Sequence, residues 1–247
     1  MQVTIVGWSG SFPGPLSPAS CYLIEADGFR LVLDLGNGAV GALQRYTGLG
    51  DVDAICLSHL HSDHCLDLTG YSVFQNYNPE GRQPRIPVYG PTGAQDRLTR
   101  ALGTESRSMA DAFHFTTLEP GTIEIGPIRV TAAHMNHSVE TFGFRLEHAG
   151  KALAYSADTA PTEELVKIAG GVDVLLCEAS FVDGPRLQTG QHLTARQAGE
   201  YATRADVGEL VLTHLVAWNE PAVSFAQASA AFAGQVRMAS TGLRVLS

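Results

Sequence analysis

The stretch Ser58-His-Leu-His-Ser-Asp-His-Cys-Leu-Asp67 constrains this chain more than any other. It places His59, His61, Asp63 and His64 within six residues. The run before it, Asp53-Ala-Ile-Cys-Leu-Ser58, is apolar and follows a turn-prone Leu-Gly-Asp, so it reads as a short buried strand. The four polar residues therefore stand where a strand gives way to a loop or helix, and side chains on such a loop can converge on one point. Neutral imidazole and carboxylate are the donors that zinc and similar cations take. The alternative is a polar loop with idle histidines, and three histidines with an aspartate at this density weigh against it.

Strand patterns surround the cluster. Residues 2–6 alternate, a Gly-, Ser- and Pro-rich loop fills 7–18, and strands at 21–26 and 29–35 are joined by Asp27-Gly28, a hairpin signal. Helices are predicted over 39–47, 67–77 and 92–102, with a strand at 86–89. Residues 103–112 are polar and aperiodic, as a mobile flap would be. Strands follow at 113–117, 122–125, 128–134, 141–147 and 151–156. A helix at 162–169 has Thr159 or Thr162 as its cap. A strand at 172–178, a helix at 194–204 and a strand at 209–213 come next. An Ala-rich helix at 221–234 carries Pro221 in its first turn, and short strands at 236–239 and 243–246 close the chain. No clear internal repeat is present. Two mixed β-sheets packed together, with helices on both outer faces, bury this α/β pattern in a single domain spanning 1–247.

A net charge of −9 does not suit a protein that grips long nucleic acid through its phosphates, although metal ions can make a local positive site. The N-terminus reads as a strand rather than a leader, and no stretch approaches the ~20 apolar residues of a membrane span. A cytoplasmic location is the expectation. Cys21, Cys56, Cys65 and Cys177 form no Cys-x-x-Cys pair and read as small buried hydrophobes in a reducing compartment. Cys65 directly follows His64, which makes it a further candidate ligand or oxidation target.

Isolated histidines and aspartates also fall at strand ends: His134 and His137 after 128–134, Asp158 after 151–156, and His214 after 209–213. His192 precedes the helix at 194–204. With the 59–64 cluster, this order resembles the metallo-β-lactamase fold superfamily. The segments His137-Ser-Val-Glu-Thr-Phe-Gly-Phe-Arg145, Tyr155-Ser-Ala-Asp158-Thr, Leu176-Cys-Glu178-Ala-Ser-Phe181, His192-Leu-Thr194 and Leu212-Thr-His214-Leu are similar to its ribonuclease Z-like branch. Within that branch, Leu-Ser-His-Leu-His-Ser-Asp-His-Cys-Leu-Asp-Leu and Leu-Leu-Cys-Glu-Ala-Ser look most like actinobacterial proteins described as atypical cyclic-nucleotide phosphodiesterases. The resemblance covers Gly7 to His214 and implies the αββα sandwich of that superfamily.

It also implies a binuclear site. His59, His61 and His137 would hold one divalent ion and Asp63, His64 and His214 the other, with Asp158 bridging. His137 is preferred to His134 because it stands three residues before Glu140-Thr-Phe-Gly, where the family's ligand stands. Zinc is the expected metal, and manganese fits the same donors. Two such ions, two carboxylates and a bridging hydroxide leave the site at roughly +1, attractive to a phosphodiester. The ions would turn shared water into hydroxide at neutral pH and polarise the phosphoryl oxygen. His192, oriented by Glu178, would protonate the leaving oxygen; otherwise His192 merely starts a helix. Asp34 would bond a metal-binding histidine or nearby backbone, and Asp67 would do the same or start a helix.

The branch's tRNA 3′-end endonucleases carry a long arm between the residues matching His137 and Asp158. Here residues 138–157 leave room only for a strand, a turn and a strand. A small phosphodiester such as cAMP is therefore the expected substrate. Its base could stack on Trp218 or Tyr71, although the Tyr71, Phe74 and Tyr77 stripe also reads as core packing. Arg82, Arg85 or Arg107 could meet the phosphate. The alternatives are a tRNA-processing ribonuclease, with an arm from a partner, and a catalytically weak metal-binding module. The branch commonly forms homodimers.

Overall fold

Apolar residues on both faces of most strands demand cover on both sides. The computed structural model, which describes residues 1–103, 109–184 and 190–246, provides it with two seven-stranded sheets packed face to face and helices on each outer side. The first sheet contains β1 (Gln2–Gly7), β2 (Cys21–Ala26), β3 (Phe29–Leu33), β4 (Ala54–Cys56), β5 (Ile86–Gly90) and β6 (Phe113–Thr117). The second contains β7 (Gly121–Ile125), β8 (Ile128–His134), β9 (Phe142–His148), β10 (Lys151–Tyr155), β11 (Val174–Glu178), β12 (Glu209–Thr213) and β13 (Gln235–Met238). The last strand, β14 (Arg244–Val245), returns to pair with β1.

Both sheets follow one scheme. The order β14-β1-β2-β3 is antiparallel and β3-β4-β5-β6 is parallel. Likewise β7-β8-β9-β10 is antiparallel and β10-β11-β12-β13 is parallel. These are the two mixed sheets expected from the sequence, arranged as halves that repeat each other without a repeat in the residues.

Period-two alternation sorts each strand between layers. Leu31 and Leu33 of β3 enter the core between the sheets, and Val32 faces outward. Val174 and Leu176 of β11 face in, and Leu175 and Cys177 face out. The outer face of the first sheet is covered by α1 (Ala39–Leu43), α3 (Leu68–Tyr77) and α4 (Ala94–Leu102), with α2 (Ser62–Cys65) a single turn between α1 and α3. That of the second is covered by α5 (Glu163–Ala169), α6 (Ala195–Arg204) and α7 (Pro221–Ala231). Among the described residues, no helix is long and apolar enough to cross a membrane.

Several boundaries differ from the sequence reading for local reasons. α1 stops at Leu43 instead of 47, because the Arg45 and Tyr46 amides bond back three residues and tighten the turn. β3 stops at Leu33 because Asp34 adopts a left-handed φ of 54°. α7 stops at Ala231, where Phe232 is extended. Asp27 and Gly28 have φ of 49° and 82°, the primed hairpin turn their dipeptide predicts. Thr162 caps α5 by accepting from the Glu164 amide. Of the expected flap, Met109–Asp111 form a 3-10 turn and residues 104–108 lie outside the described residues.

The carboxyl ends of the parallel strands meet at one rim. β3 delivers Asp34 there, β4 delivers Ser58 and His59, and β10, β11 and β12 deliver Asp158, Glu178 and His214. Crevices beyond such ends are where α/β sheets hold ligands.

Candidate metal centre

Short backbone devices aim the polar side chains inward. His59 lies three residues past β4, His61 precedes α2, and the single turn of α2 carries Asp63 and His64. Asp158 and His214 follow their strands through left-handed residues: Ala157 (φ 51°) before the aspartate, and His214 itself (φ 52°). Such a conformation costs a non-glycine residue about 1–2 kcal/mol, and it persists where surrounding contacts over-determine it.

Among the described residues three groups of donor atoms result, two of four donors that share Asp158, and a third of Glu178, His192 and His214 that borrows His214 from the second. In the first, His61 Nδ1 lies 3.0 Å from His59 Nε2 and 3.2 Å from His137 Nε2. Asp158 Oδ2 is 3.7 Å from His59 Nε2 and 4.0 Å from His137 Nε2. In the second, His214 Nε2 lies 3.1 Å from both His64 Nε2 and Asp63 Oδ2. Asp158 Oδ1 is 3.3 Å from His64 Nε2 and 3.4 Å from His214 Nε2. Donors bound at 2.0–2.1 Å around a tetrahedral cation stand about 3.3 Å apart, so each four-donor set fits one ion. Asp158 Oδ1 is buried and accepts no hydrogen bond among the described residues, which leaves its lone pairs for a cation. The chemistry of the donors and this orphaned oxygen are together compatible with a binuclear site.

The far side of most rings is tied down, which decides which nitrogen faces the cluster. His64 Nδ1 donates to Asp34 Oδ2 at 2.8 Å, and the same carboxylate accepts from the Ser58 amide and hydroxyl at 2.7 Å and from the Tyr155 hydroxyl at 2.8 Å. His214 Nδ1 donates to Ser180 Oγ at 2.8 Å, His59 Nδ1 to Ser58 Oγ at 3.0 Å, and His137 Nδ1 to the Gln191 carbonyl at 3.0 Å. Four imidazoles thus present Nε2 and His61 presents Nδ1.

The electrostatics favour positive charge in the second cluster. Burial disfavours protonation of His64, yet Asp158, Asp34 and Asp63 together raise its pKa well above the usual histidine value. Burial pushes the Asp158 carboxyl up, but His214, His64 and His59 hold it well below the usual range. Burial, with His64, His137 and His61 nearby, holds His59 well below its ordinary value and so neutral.

Beside the clusters, His192 Nδ1 lies 3.0 Å from Glu178 Oε1 and 3.9 Å from Asp158 Oδ2. Its ring stacks on His214 at 5.5 Å and meets Phe181 edge-on at 5.2 Å. Glu178 is fully buried and also accepts from the Thr159 amide (2.7 Å) and the Ser180 hydroxyl (2.9 Å). Burial opposes charge on His192, but the hydrogen bond and charge of Glu178, with Asp158, push its pKa up to about 9. His192 does not start α6: Thr194 does, in a capping box with Gln197.

Other expected residues lie elsewhere. Tyr71 is fully buried, packs edge-on against Phe113 and donates its hydroxyl to the Leu49 carbonyl, so it is a core residue and cannot stack on a ligand. Cys65 is buried, points its thiol at the His61 carbonyl and belongs to neither cluster. His134 is exposed and stacks on Phe142, outside the clusters. Asp67 accepts from the Val40 amide and so steadies the start of α1. Arg82 pairs with Asp111, Arg85 reaches the Ala110 carbonyl, and Arg107 lies outside the described residues. Trp218 is 72% exposed on the loop after His214, with its ring 5.7 Å from Phe12. Phe12 follows Ser11, whose amide donates to Asp63 Oδ2 at 2.9 Å.

Sequence reasoning passed over Ser58, Ser180 and the Ser11 amide. Ser58 and Ser180 sit directly beside His59 and within Glu178-Ala-Ser180, and that adjacency was the only available signal.

Residues 30–215 match the family described as a beta-lactamase superfamily domain. The chain is 40% identical over 244 residues to an uncharacterized protein of Mycobacterium tuberculosis, covering 96% of this chain and 88% of that one. It is 30% identical over 251 residues to ribonuclease Z of Mycolicibacterium gilvum, covering 90% and 86%. The crystal structure of the metallo-beta-lactamase fold protein YhfI of Bacillus subtilis, 25% identical, superposes with a TM-score of 0.87 over 99% of this chain and 98% of that one.

Proposed function

We propose, from the premise that this chain belongs to the beta-lactamase superfamily as a metallo-hydrolase of its ribonuclease Z-like part, that it hydrolyses a small phosphodiester such as cAMP. The observation that carries the reading is the shared carboxylate. Asp158 turns Oδ2 to His59 and His137 of the first cluster, and Oδ1 to His64 and His214 of the second. Two divalent ions bound by these residues, zinc by preference, would supply an acidified water and positive charge opposite the phosphoryl oxygens.

The chain's own groups then handle binding and the departing proton. Glu178 holds His192 through Nδ1, and its hydrogen bond and charge favour a proton on the ring against the effect of burial. The other ring nitrogen donates to the leaving oxygen. Asp34 and Ser180 keep His64 and His214 in one tautomer throughout.

The substrate is small because only β9, the left-handed pair Ala149-Gly150 and β10 separate His137 from Asp158, which leaves no arm to hold tRNA. The acidic chain works in the same direction. The likeness to ribonuclease Z favours a second reading, a tRNA 3′-end endonuclease. Purified protein with zinc or manganese is assayed against cAMP, bis-p-nitrophenyl phosphate and a precursor tRNA. Turnover of both small diesters supports the proposal. Comparable cleavage of the tRNA replaces it with the second reading, and no turnover of any of the three leaves only a metal-binding module. Full activity with fewer than two ions per chain by elemental analysis would sink the binuclear part.

A further inference from the structure

Behind the metal centre, one hydroxyl stands between a donor of the second cluster and the pair Glu178–His192. Ser180 Oγ lies 2.8 Å from His214 Nδ1, 2.9 Å from Glu178 Oε2 and 3.1 Å from the His214 carbonyl. Glu178 holds His192 through its other oxygen at 3.0 Å. The rings of His192 and His214 stack at 5.5 Å with planes 22° apart, so the two histidines, the glutamate and the serine form one closed unit. Ser180, Glu178 and His214 are all buried. The backbone fastens the serine in place on both sides. The Ala179 amide donates to the Thr213 carbonyl at 3.0 Å, beside His214, and the Phe181 amide donates to the Leu193 carbonyl at 3.0 Å, beside His192. The Ser180 carbonyl accepts from Asn219 Nδ2 at 2.8 Å.

A hydroxyl has one proton to give and two lone pairs to accept with. The state of His214 therefore decides where the Ser180 proton goes. When His214 keeps Nε2 bare for a cation, its own proton sits on Nδ1 and is donated to Ser180 Oγ. The serine proton is then left for Glu178 Oε2, which is nearer than the His214 carbonyl and, as a carboxylate, the stronger acceptor. When Nε2 carries the proton, 3.1 Å from Asp63 Oδ2, Nδ1 is bare and competes with Glu178 for the same serine proton.

We propose that Ser180 is a positioning residue that couples the second cluster to the proton donor: with His214 set to hold an ion through Nε2, the Ser180 hydroxyl turns to Glu178 and fixes the carboxylate that holds His192. The inference rests on the metallo-hydrolase reading of the centre. It means that His192 is fully braced only when the second cluster is in its ion-holding state. The coupling is reciprocal. If an ion at His214 favours the Ser180–Glu178 bond, that bond favours the ion by the same factor. Glu178 belongs to neither four-donor set, yet it helps to hold the ion through the serine.

The test reads bound metal and not turnover. Wild type, Ser180→Ala, Glu178→Gln and the double variant are loaded with zinc, and the affinity of each ion is read by competitive chelator titration. Ser180→Ala is expected to loosen one of the two ions about 10–100-fold, and Glu178→Gln to loosen the same ion at least about fivefold. The two effects do not multiply, so the double variant holds that ion nearly as tightly as Ser180→Ala alone. Loss of the Glu178 charge also acts on an ion through space, and that part survives without the serine. A Glu178→Gln effect as large in Ser180→Ala as in the wild type overturns the coupling, as does no effect of Glu178→Gln. A third ion per chain by elemental analysis also overturns it, because Glu178 and His192 would then be ligands. Ser180→Thr keeps the hydroxyl and is expected to hold the ion as the wild type does. A folded Ser180→Thr as loose as Ser180→Ala takes the role from the hydroxyl, and if it does not fold the cycle decides alone. Ion content of the wild type and its hydrolysis of bis-p-nitrophenyl phosphate report on the underlying reading, so the two failures are distinguishable.

Discussion

The two donor clusters share one carboxylate but are built differently. Every residue of the second, Asp63, His64, Asp158 and His214, is buried, while in the first the His137 side chain is buried too and only His61 is half-buried. In the second, side chains brace the ligand rings: Asp34 behind His64 and Ser180 behind His214. In the first, only His59 has a side chain behind it, Ser58, while His137 leans on a backbone carbonyl and His61 Nε2 makes no hydrogen bond among the described residues. The second also owns a carboxylate outright, Asp63, with the Ser11 amide on it. Hard anionic donors and fixed tautomers strengthen metal binding. On the proposed two-ion reading, the second pocket is the better built to hold an ion, and the half-buried His61 leaves the first more open to a ligand.

The largest test removes what the clusters share. Asp158→Ala takes an oxygen from both at once, so bound metal falls below one ion per chain by elemental analysis. Activity drops by about three orders of magnitude or more, because several kcal/mol of charge stabilisation go with it. A variant that keeps two ions would show that the clusters are independent.

Next is His192, which touches both clusters and belongs to neither. His192→Ala keeps both ions and lowers turnover about 10²–10³-fold, in the range of general acid catalysis. The sign of the pH effect follows from the role. The acid form acts, so turnover persists below the pKa of His192 and is lost as pH rises through it. That pKa is pushed up to about 9 by Glu178 and Asp158 against the effect of burial, and bound cations draw it down from there. Glu178→Gln removes the upward push, so the alkaline limb of the rate profile moves to lower pH. A limb that stays in place would take the proton-donor role from His192.

Asymmetry between the clusters is sharpened by Asp34→Asn. It weakens the brace on His64 directly and reaches the first cluster only through Ser58, whose hydroxyl bonds both Asp34 and His59, so one of the two ions is held about 10–100-fold less tightly in a competitive chelator titration and the other is less affected. Equal weakening of both ions would erase the distinction. The smallest expected effect is at Cys65. Its thiol, pushed up to about 12 by burial, resists thiol reagents in the folded state, and Cys65→Ser retains two ions per chain. Loss of an ion would return Cys65 to the ligand set.

Much of this was legible in the residues, for identifiable reasons. Imidazoles and carboxylates at strand ends have few other uses, so the 59–64 cluster, Asp158 and His214 stood out. Unbroken apolar runs such as Leu31-Val32-Leu33 and Val174-Leu175-Leu176-Cys177 announced strands buried on both faces. The choice of His137 over His134 came from a family likeness and not from spacing. Serines are too common to signal anything, and Ser58 and Ser180 matter only because folding sets Asp34 and Glu178 against them. The Tyr71 stripe marked a helical face without saying which end of it faced the core. The matching strand order of the two sheets was invisible, since hydrogen-bond direction leaves no trace in composition.

His64 and His214 meet although they stand 150 positions apart in sequence, and Tyr155 reaches Asp34 at a separation of 121. Contacts that distant in sequence close slowly, because chain entropy must be spent before they reward it. An unfolded chain can offer a cation the local 59–64 run, but the complete second pocket exists only after the two sheets have met. Loading with metal is therefore the last act of assembly, and a bound ion works as a clasp between the halves. It adds to stability by mass action. It also slows opening of the sandwich, so stripping the metal should shorten the lifetime of the native state more than it alters its shape.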